Sequence, residues 1–575
     1  MIKLFKYLKP FTLPILAVLV LVFAQTLSEL YLPTLMADIV DKGIVNGDTN
    51  YILRIGGLML LVAAGGTVCS IVATFLSSKA AVGFGTILRS KVFSQVESFS
   101  LHEFSKIGTA TLITRTTNDI TQVQMVTIMI LRMMVSAPLM MIGGIIMALS
   151  EDKPLTLILV VVIPILAAAI GIIAKKGIPL FKLMQVKIDK LNLVLREGLT
   201  GIRVIRAFNR IEKENLRFDD ANADLTNNAI KVNKIMASLM PIMMLTLNFT
   251  TIAIIWFGGI RIDNGSMQVG SLMAFIQYAM QIMFSLIMVS LMFVMIPRAA
   301  ASAVRINEVL DTVPEINDPE QVKTADRQRG FVEFNEVSFS YPGAEQPVLS
   351  NISFNARPGE VTAIIGGTGS GKSTLINLIP RFYDIDKGRI LVDGVDIREM
   401  TQENLRSKIG LVPQNTVLFT GTIADNIRYG RDNSTDEEIK RAAATAQATE
   451  FVSEMKDGFD SVIAQGGTNI SGGQKQRLSI ARALVRRPEI YIFDDSFSAL
   501  DYKTDARLRT ALRKEIADST VFIIAQRVAT VMDSDRIIVL EDGQIAGIGD
   551  HKELMQNCEV YREIVYSQLS EEELA

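Results

Sequence analysis

The residues with the plainest chemical consequence are GGTGSGKST, Gly366–Thr374. They fit the pattern G-x-x-x-x-G-K-[ST], whose glycines let backbone N–H groups face phosphate oxygens. Gly366, Gly367, Thr368, Gly369, Ser370 and Gly371 would form the cradle. A buried strand, Val361–Ile365, precedes it and a helix beginning Lys372–Ile379 follows, so the helix N-terminus adds positive potential at the phosphates. Lys372 is then expected on the β- and γ-phosphates of ATP, Ser373 on Mg²⁺ and Thr374 beside the nucleotide.

Two further segments carry charge or helix-terminal donors. IYIFDD, Ile490–Asp495, reads as a buried strand ending in Asp494, a carboxylate placed to hold Mg²⁺ through water. ISGGQKQRLSIARAL, Ile470–Leu484, opens a helix on Ser471, Gly472, Gly473 and Gln474, a second anion-binding terminus. With His102 and His551 as the only histidines, ordinary general bases are scarce.

These segments sit in the second half of a chain of 575 residues, too long for one ordinary domain. There, short β-rich runs (Phe331–Phe339, Glu489–Phe493, Val521–Ile524) alternate with amphipathic helical stretches, the mark of an α/β domain. The first half differs. Nearly uncharged runs centre on Pro14–Leu27, Gly56–Ser78, Val126–Leu149, Leu155–Ala174, Ile235–Ile260 and Ser271–Ile296. Each approaches or exceeds the roughly 20 residues that cross a bilayer as a helix. The expected order is an all-α transmembrane domain of six helices over 1–306, a charged, proline-containing linker over 307–330 and an α/β ATPase domain over 331–575. Ala24 could mimic a signal-peptidase site, but several more spans follow. The net charge of −2 gives no pointer to nucleic acid. Cys69 and Cys558 suit neither a structural disulfide nor a zinc site.

The connection Lys175–Lys234 and the segment Lys79–Asp119 are net basic, whereas those near Asp38–Asp48 and Glu151–Lys153 are short and acidic. Basic connections stay in the cytoplasm, which places both termini and the ATPase domain there, in a multi-pass protein of the cell membrane. Few Pro or Gly interrupt the basic connections, so the membrane helices are expected to continue through them. Met1–Lys9, apolar on one face and lysine-bearing on another, suits a short interfacial helix.

Together the phosphate loop, the aspartate-ended strand and SGGQ resemble the ABC transporter family, and the resemblance covers nearly the whole chain. The membrane half resembles half-size exporters. The resemblance implies a dimer in which the SGGQ signature of one chain faces the γ-phosphate held by the other. It also implies roles for other loops. Tyr341 in FSYPG matches the aromatic that stacks on adenine, Gln414 in LVPQN the loop that senses Mg²⁺, and SALD, Ser498–Asp501, the D-loop. GTATLITRTTNDI, Gly108–Ile120, with Thr117 and Asp119, matches the first segment that couples membrane helices to the ATPase domains. REGLTGIRVIRAFNR, Arg196–Arg210, with Arg203 and Arg206, matches the second.

The chain departs from that family where catalysis is concentrated. Asp495 stands where a glutamate follows the Walker B aspartate, Gln526 where a switch histidine stands, and Gln465 where an acidic residue precedes the signature. This pattern resembles the weakened-site subunit of heterodimeric bacterial exporters. The physical case stands separately. Aspartate is one methylene shorter than glutamate, and misplacing a base by roughly 1 Å costs about 10²-fold. Glutamine is no proton acceptor near neutrality. The expected assembly is a heterodimer in which Ser471–Gln474 complete the site of a partner half-transporter that carries the competent glutamate. The alternative is a homodimer in which Asp495 is a working base.

Polar residues at membrane depth, among them Glu29, Arg132, Asn248, Gln277 and Gln281, usually face a bundle interior or a wet cavity. Glu29 suits contact with a cationic substrate, while Arg132 near an interface would snorkel. Asp38 and Asp41 either pair across an external gate or are solvated. Methionines such as Met125, Met134, Met240, Met243, Met244 and Met283 suit a pliant surface for amphipathic drugs or lipids, or ordinary packing against lipid and neighbouring helices. The expected function is ATP-driven export of such compounds. The rival is an ATP-gated channel or regulatory membrane subunit, which the lack of a regulatory insertion disfavours.

Overall fold

A computed structural model describes residues 1–323 and 329–568; residues 324–328 of the expected linker and 569–575 at the end lie outside the described residues. The chain divides into two units, Met1–Glu97 with Thr109–Thr312, and Ser98–Gly108 with the residues from Val313 on.

After a 3-10 helix, Ile2–Phe11, the helices are α1 (Thr12–Asp38), α2 (Thr49–Glu97), α3 (Leu101–Ile107), α4 (Thr109–Thr114), α5 (Ile120–Glu151), α6 (Lys153–Thr200), α7 (Ile202–Ala207), α8 (Ile211–Ala237), α9 (Leu239–Asp263) and α10 (Val269–Asp311). All but α3 belong to the first unit. Among the described residues, six helical spans of 43 to 53 residues are long and apolar enough to cross a membrane. α6 alone has 48 residues, roughly 70 Å at 1.5 Å per residue, against roughly 30 Å of hydrocarbon. The helices therefore do run on through the basic connections. The breaks fall at Ser98–Ser100, Gly108, Gly201 and around Asn209, whose φ is 50°.

Polar contacts fix α1 against α10. Buried Tyr278 shares a hydrogen bond with Thr34 (2.7 Å) and donates to the Leu30 carbonyl (3.0 Å). Gln281 donates to the Glu29 carbonyl (3.2 Å). Asp41 accepts from the Gly270 and Ser271 amides (2.6 and 3.1 Å) and so caps α10. A Cβ at Gly270 would lie 2.4 Å from the Ala37 carbonyl oxygen, so the approach needs glycine. Between the π-helical turn Arg115–Asp119, which leads into α5, and α10, buried Asp119 accepts from Ser302 (2.9 Å) and forms a bidentate ion pair with Arg305.

In the second unit β1 (Val332–Phe339), β2 (Leu349–Ala356), β4 (Lys387–Val392) and β5 (Val395–Asp396) form an antiparallel sheet in the order β2-β1-β4-β5. A second sheet runs β12-β11-β3-β10-β9-β6, from β3 (Val361–Gly366), β6 (Ile409–Val412), β9 (Ile490–Asp494), β10 (Thr520–Ile524), β11 (Arg536–Glu541) and β12 (Gln544–Gly549). Only β11 and β12 pair antiparallel there. A ribbon of β7 (Gly421–Thr422) and β8 (Val462–Ile463) completes the strands. β9 and β10 are buried along their whole length, as parallel strands covered on both faces must be. Helix α11 (Lys372–Leu378) follows β3, and α12 (Gln402–Ser407) precedes β6. Then come α13 (Ile423–Arg428), α14 (Asp436–Thr445), α15 (Thr449–Glu454), α16 (Gly472–Arg486), α17 (Tyr502–Glu515), α18 (Val528–Val531), α19 (His551–Asn557) and α20 (Glu559–Gln568).

The expected linker differs in two respects. α10 continues to Asp311, past residue 306. Beyond it the charged stretch is tied down: the Glu315 amide donates to Glu103 (3.0 Å), whose other oxygen accepts from the Ser100 amide (2.7 Å) at the start of α3. Asp318 accepts from the Gln402 amide (2.9 Å), and Lys323 pairs with Glu399 (2.7 Å). The polar residues that mark a loose connector in the sequence serve here as anchors.

Candidate nucleotide-binding site

β3 ends in Gly366, and the chain turns into α11 through Gly369 and Gly371 at φ 86° and 95°, left-handed conformations that glycine adopts without strain. Gly366 also lies close under β11, where a Cβ would come within 2.2 Å of the Leu540 carbonyl oxygen. Lys372 is folded over the loop, donating to the carbonyls of Gly366 (2.8 Å) and Gly367 (2.6 Å). Burial pulls its ammonium pKa down, opposed by the charges of Asp495 and Asp494. Tyr341 shares a hydrogen bond with Thr374 (3.0 Å) and meets Tyr383 edge to face at 5.3 Å, which puts aromatic rings beside the cradle.

The strand β9 delivers Asp494 and Asp495 to the same end of the sheet. Ser373 donates to Asp494 (3.2 Å). Burial raises the Asp494 pKa, and the neighbouring Asp495 raises it further. A largely buried carboxylate beside a hydroxyl is an all-oxygen donor set that fits a hard cation such as Mg²⁺. Ser373 and Asp494 are the residues that would hold it, and the ion would neutralise charge on the phosphates.

Asp495 sits at φ 45°, a strained conformation for a side-chain-bearing residue. Its Oδ2 accepts from Gln526 (3.0 Å) and, at longer range, from Gln414 (3.4 Å). Burial again raises its pKa. The sequence motifs do not disclose that these two glutamines converge on one carboxylate oxygen. They lie more than a hundred positions apart, and β6 and β10 both flank β9 only in the folded sheet. Ser498 bonds back to the Asp495 carbonyl (2.9 Å), and Arg527 donates to the Ser498 carbonyl (3.3 Å). Asp501 caps α17 at the Thr504 amide (2.9 Å).

The signature residues begin α16 at the surface. Ser471 and Gln474 form a capping box, Ser471 Oγ accepting from the Gln474 amide (3.3 Å) and Gln474 Oε1 from the Ser471 amide (2.8 Å). Ser471 and Gly472 are exposed. A Cβ on Gly472 would meet nothing within 4 Å, and one on Gly473 would lie 3.1 Å from the Ala499 carbonyl.

The other singled-out residues have varied fates. Asp119 is engaged within the helical unit, and Thr117 turns its hydroxyl back to the Ile113 carbonyl (2.7 Å). Arg203 and Arg206 are exposed on α7, which buries none of its residues. Glu29 accepts from Gln25 (2.8 Å), and its carbonyl takes the Gln281 amide. Asn248 is exposed on α9. The reading of Asp41 as a solvated group needs correction. Asp38 pairs with Lys42 one turn on (2.7 Å), and Asp41 is buried on the start of α10, because two free helix-terminal N–H groups attract a carboxylate. Met243 and Met283 are buried in interhelical packing, whereas Met125, Met134, Met240 and Met244 are exposed.

A stability test follows from Asp494. A carboxyl whose folded-state pKa is raised favours folding below its unfolded pKa and loses that contribution as pH rises through the folded value. At neutral pH the nucleotide-free protein therefore carries the full cost of the buried charge. Asp494→Asn is expected to raise the thermal midpoint of that form by a few degrees while weakening Mg²⁺-dependent ATP binding at this chain's own site. The gain should fade as pH falls through the raised carboxyl value. Thermal unfolding scans from pH 4 to 8 check it, and an unchanged or lower midpoint at neutral pH overturns it.

Comparisons with known proteins agree with this geometry. The ABC transporter transmembrane region family matches residues 15–286, and the ABC transporter family matches residues 349–498. An uncharacterized ABC transporter ATP-binding protein of Mycobacterium tuberculosis is 45% identical over 567 residues, 98% of this chain and 97% of that one. A fatty acid ABC transporter ATP-binding/permease protein of the same species is 36% identical across 82% of this chain and 75% of its own length. An ATP-dependent lipid A-core flippase of Desulfotalea psychrophila is 36% identical across 81% and 82%. The solved structure of a bacterial Atm1-family ABC exporter with ATP bound superposes with a TM-score of 0.80 at 25% identity, covering 98% of this chain and 99% of that one. With six apolar spans followed by a phosphate loop, a buried aspartate pair and a helix-opening SGGQ, the chain belongs to the ABC transporter family, as an ATPase and a multi-pass membrane protein on one polypeptide.

Proposed function

We propose that this chain is one half of a heterodimeric exporter of amphipathic compounds, in which its own ATP site binds nucleotide but turns it over slowly. The observation that carries the reading is Asp495, with its Oδ2 taken by Gln526 and, more distantly, Gln414. Burial raises the carboxyl pKa, but the amide donors occupy the lone pairs a proton would use. The shorter side chain adds a deficit in reach. Meanwhile the signature at Ser471–Gln474 is intact, with Ser471 and Gly472 exposed, suited to complete the site of a partner that carries a glutamate. ATP binding would close the two ATPase domains head to tail and turn the cavity outward, and hydrolysis at the partner's site would reset it. Basic connections favour a cytoplasmic ATPase domain. Relatives named for fatty acids and for lipid A favour a lipid-like cargo.

The chain purified alone is expected to hydrolyse ATP at less than about a tenth of the rate of the co-expressed pair, since each complete site takes its phosphate loop and its signature from different chains. Steady-state ATPase assays in nanodiscs check this. Full Mg²⁺-dependent turnover by the lone chain would make it a homodimeric exporter with Asp495 as its base.

A further inference from the structure

The loop that carries Gln526 is held from behind by the last described residue of α20. The side chain of Gln568 accepts from the Val528 amide through Oε1 (2.8 Å) and donates to the Gln526 carbonyl through Nε2 (2.8 Å). One amide thus grips both sides of Arg527 as a neighbouring strand would. The loop residues it brackets are those that reach the nucleotide site: Gln526 donates to Asp495, and Arg527 donates to the Ser498 carbonyl. α20 gives this grip a firm base. Tyr561 and Val565 are fully buried, and the Tyr561 hydroxyl bonds His551 (2.8 Å) at the start of α19. Val528 and Val531 of α18 lie in the same core cluster.

We propose that Gln568 is a positioning residue for this chain's nucleotide site, holding the 526–528 backbone so that the Gln526 amide stays on Asp495 and the loop retains bound ATP. A hydrogen bond of 3.0 Å weakens steeply with displacement, so a loop released by about 1 Å loses it. Either reading of Asp495, idle or working, leaves this contact the same role. The sequence gives no sign of it, since Gln568 lies 42 residues from Gln526 in no motif.

The test uses the full assembled transporter and reads release of a photoreactive ATP analogue from this chain's own phosphate loop, alongside kcat and KM for ATP. Gln568→Ala is expected to speed release three- to tenfold. Gln568→Glu keeps the acceptor for Val528 and removes the donor to the Gln526 carbonyl, so it should speed release as well, with the thermal midpoint unchanged. In a Gln526→Ala background, either change should add less than twofold, because the loop's contact with Asp495 is already gone. That non-additivity separates positioning from general loosening, which would multiply in both backgrounds. Release at the parental rate in both variants, or effects that multiply with Gln526→Ala, overturns the proposal.

Discussion

Gly473→Asp is expected to stop ATP turnover by the assembled transporter, with a loss of at least about 10²-fold, the scale of removing one preorganised donor from a reacting anion. The first turn of α16 offers free backbone N–H groups and positive potential at an exposed surface. In the proposed dimer that terminus meets the partner's γ-phosphate. An aspartate there occupies the donors and sets a negative charge against a negative ligand. The change carries its own control for folding, because acidic residues in a helix's first turn stabilise it. The new Cβ would lie 3.1 Å from the Ala499 carbonyl, a crowding that a small local shift relieves. Ser471→Arg should act similarly by bulk. ATP labelling of this chain's own phosphate loop should persist in both, since Lys372 and Ser373 are untouched. Parental turnover in either variant would exclude a sandwich built on this signature.

The second large effect is a contrast. Replacing the partner's catalytic glutamate with glutamine is expected to reduce turnover by about 10²–10³-fold, as loss of a general base does. Asp495→Asn in this chain should reduce it less than about threefold. The variant asparagine can still accept from Gln526 and Gln414 and keep the loop in place. Restoring the family pattern with Asp495→Glu and Gln526→His lengthens the reach of the carboxylate and supplies an imidazole, and should recover part of the turnover in the partner-glutamine background. Parallel kcat measurements on the two single changes decide the matter. Equal damage from both would make Asp495 a working base and end the asymmetric reading.

Much of the ATPase half was legible because its chemistry is local. The loop Gly366–Thr374, the end of β9 and the cap of α16 each lie within a few residues, and their glycines, aspartates and serine announce the backbone they require. The six apolar spans were legible from length alone. What the sequence concealed is contact between distant segments. Gln414, Gln526 and Asp495 converge because β6, β9 and β10 are neighbours in one sheet, an order no local pattern encodes. Asp41 misled for a related reason: a carboxylate near the end of a span reads as solvated until the start of α10 is seen to supply two amides. The charged linker misled too: the Glu315 amide donates to Glu103 of α3, Asp318 accepts at the start of α12, and Lys323 pairs with Glu399 in the turn after β5.

The seam between α1 and α10 has a consequence for how this machine can move. Asp41 on two amides, Tyr278 on Thr34 and Leu30, and Gln281 on the Glu29 carbonyl tie the two helices at successive levels. Parting them would strand several polar groups, at about 1–3 kcal/mol for each left unpaired. Gly270 adds a geometric constraint, since the backbones already approach too closely to admit a Cβ. The first and last spans therefore have few degrees of freedom between them and translate or tilt as a single plank. Whatever path a cargo takes across the bilayer, it opens along some other line of the bundle.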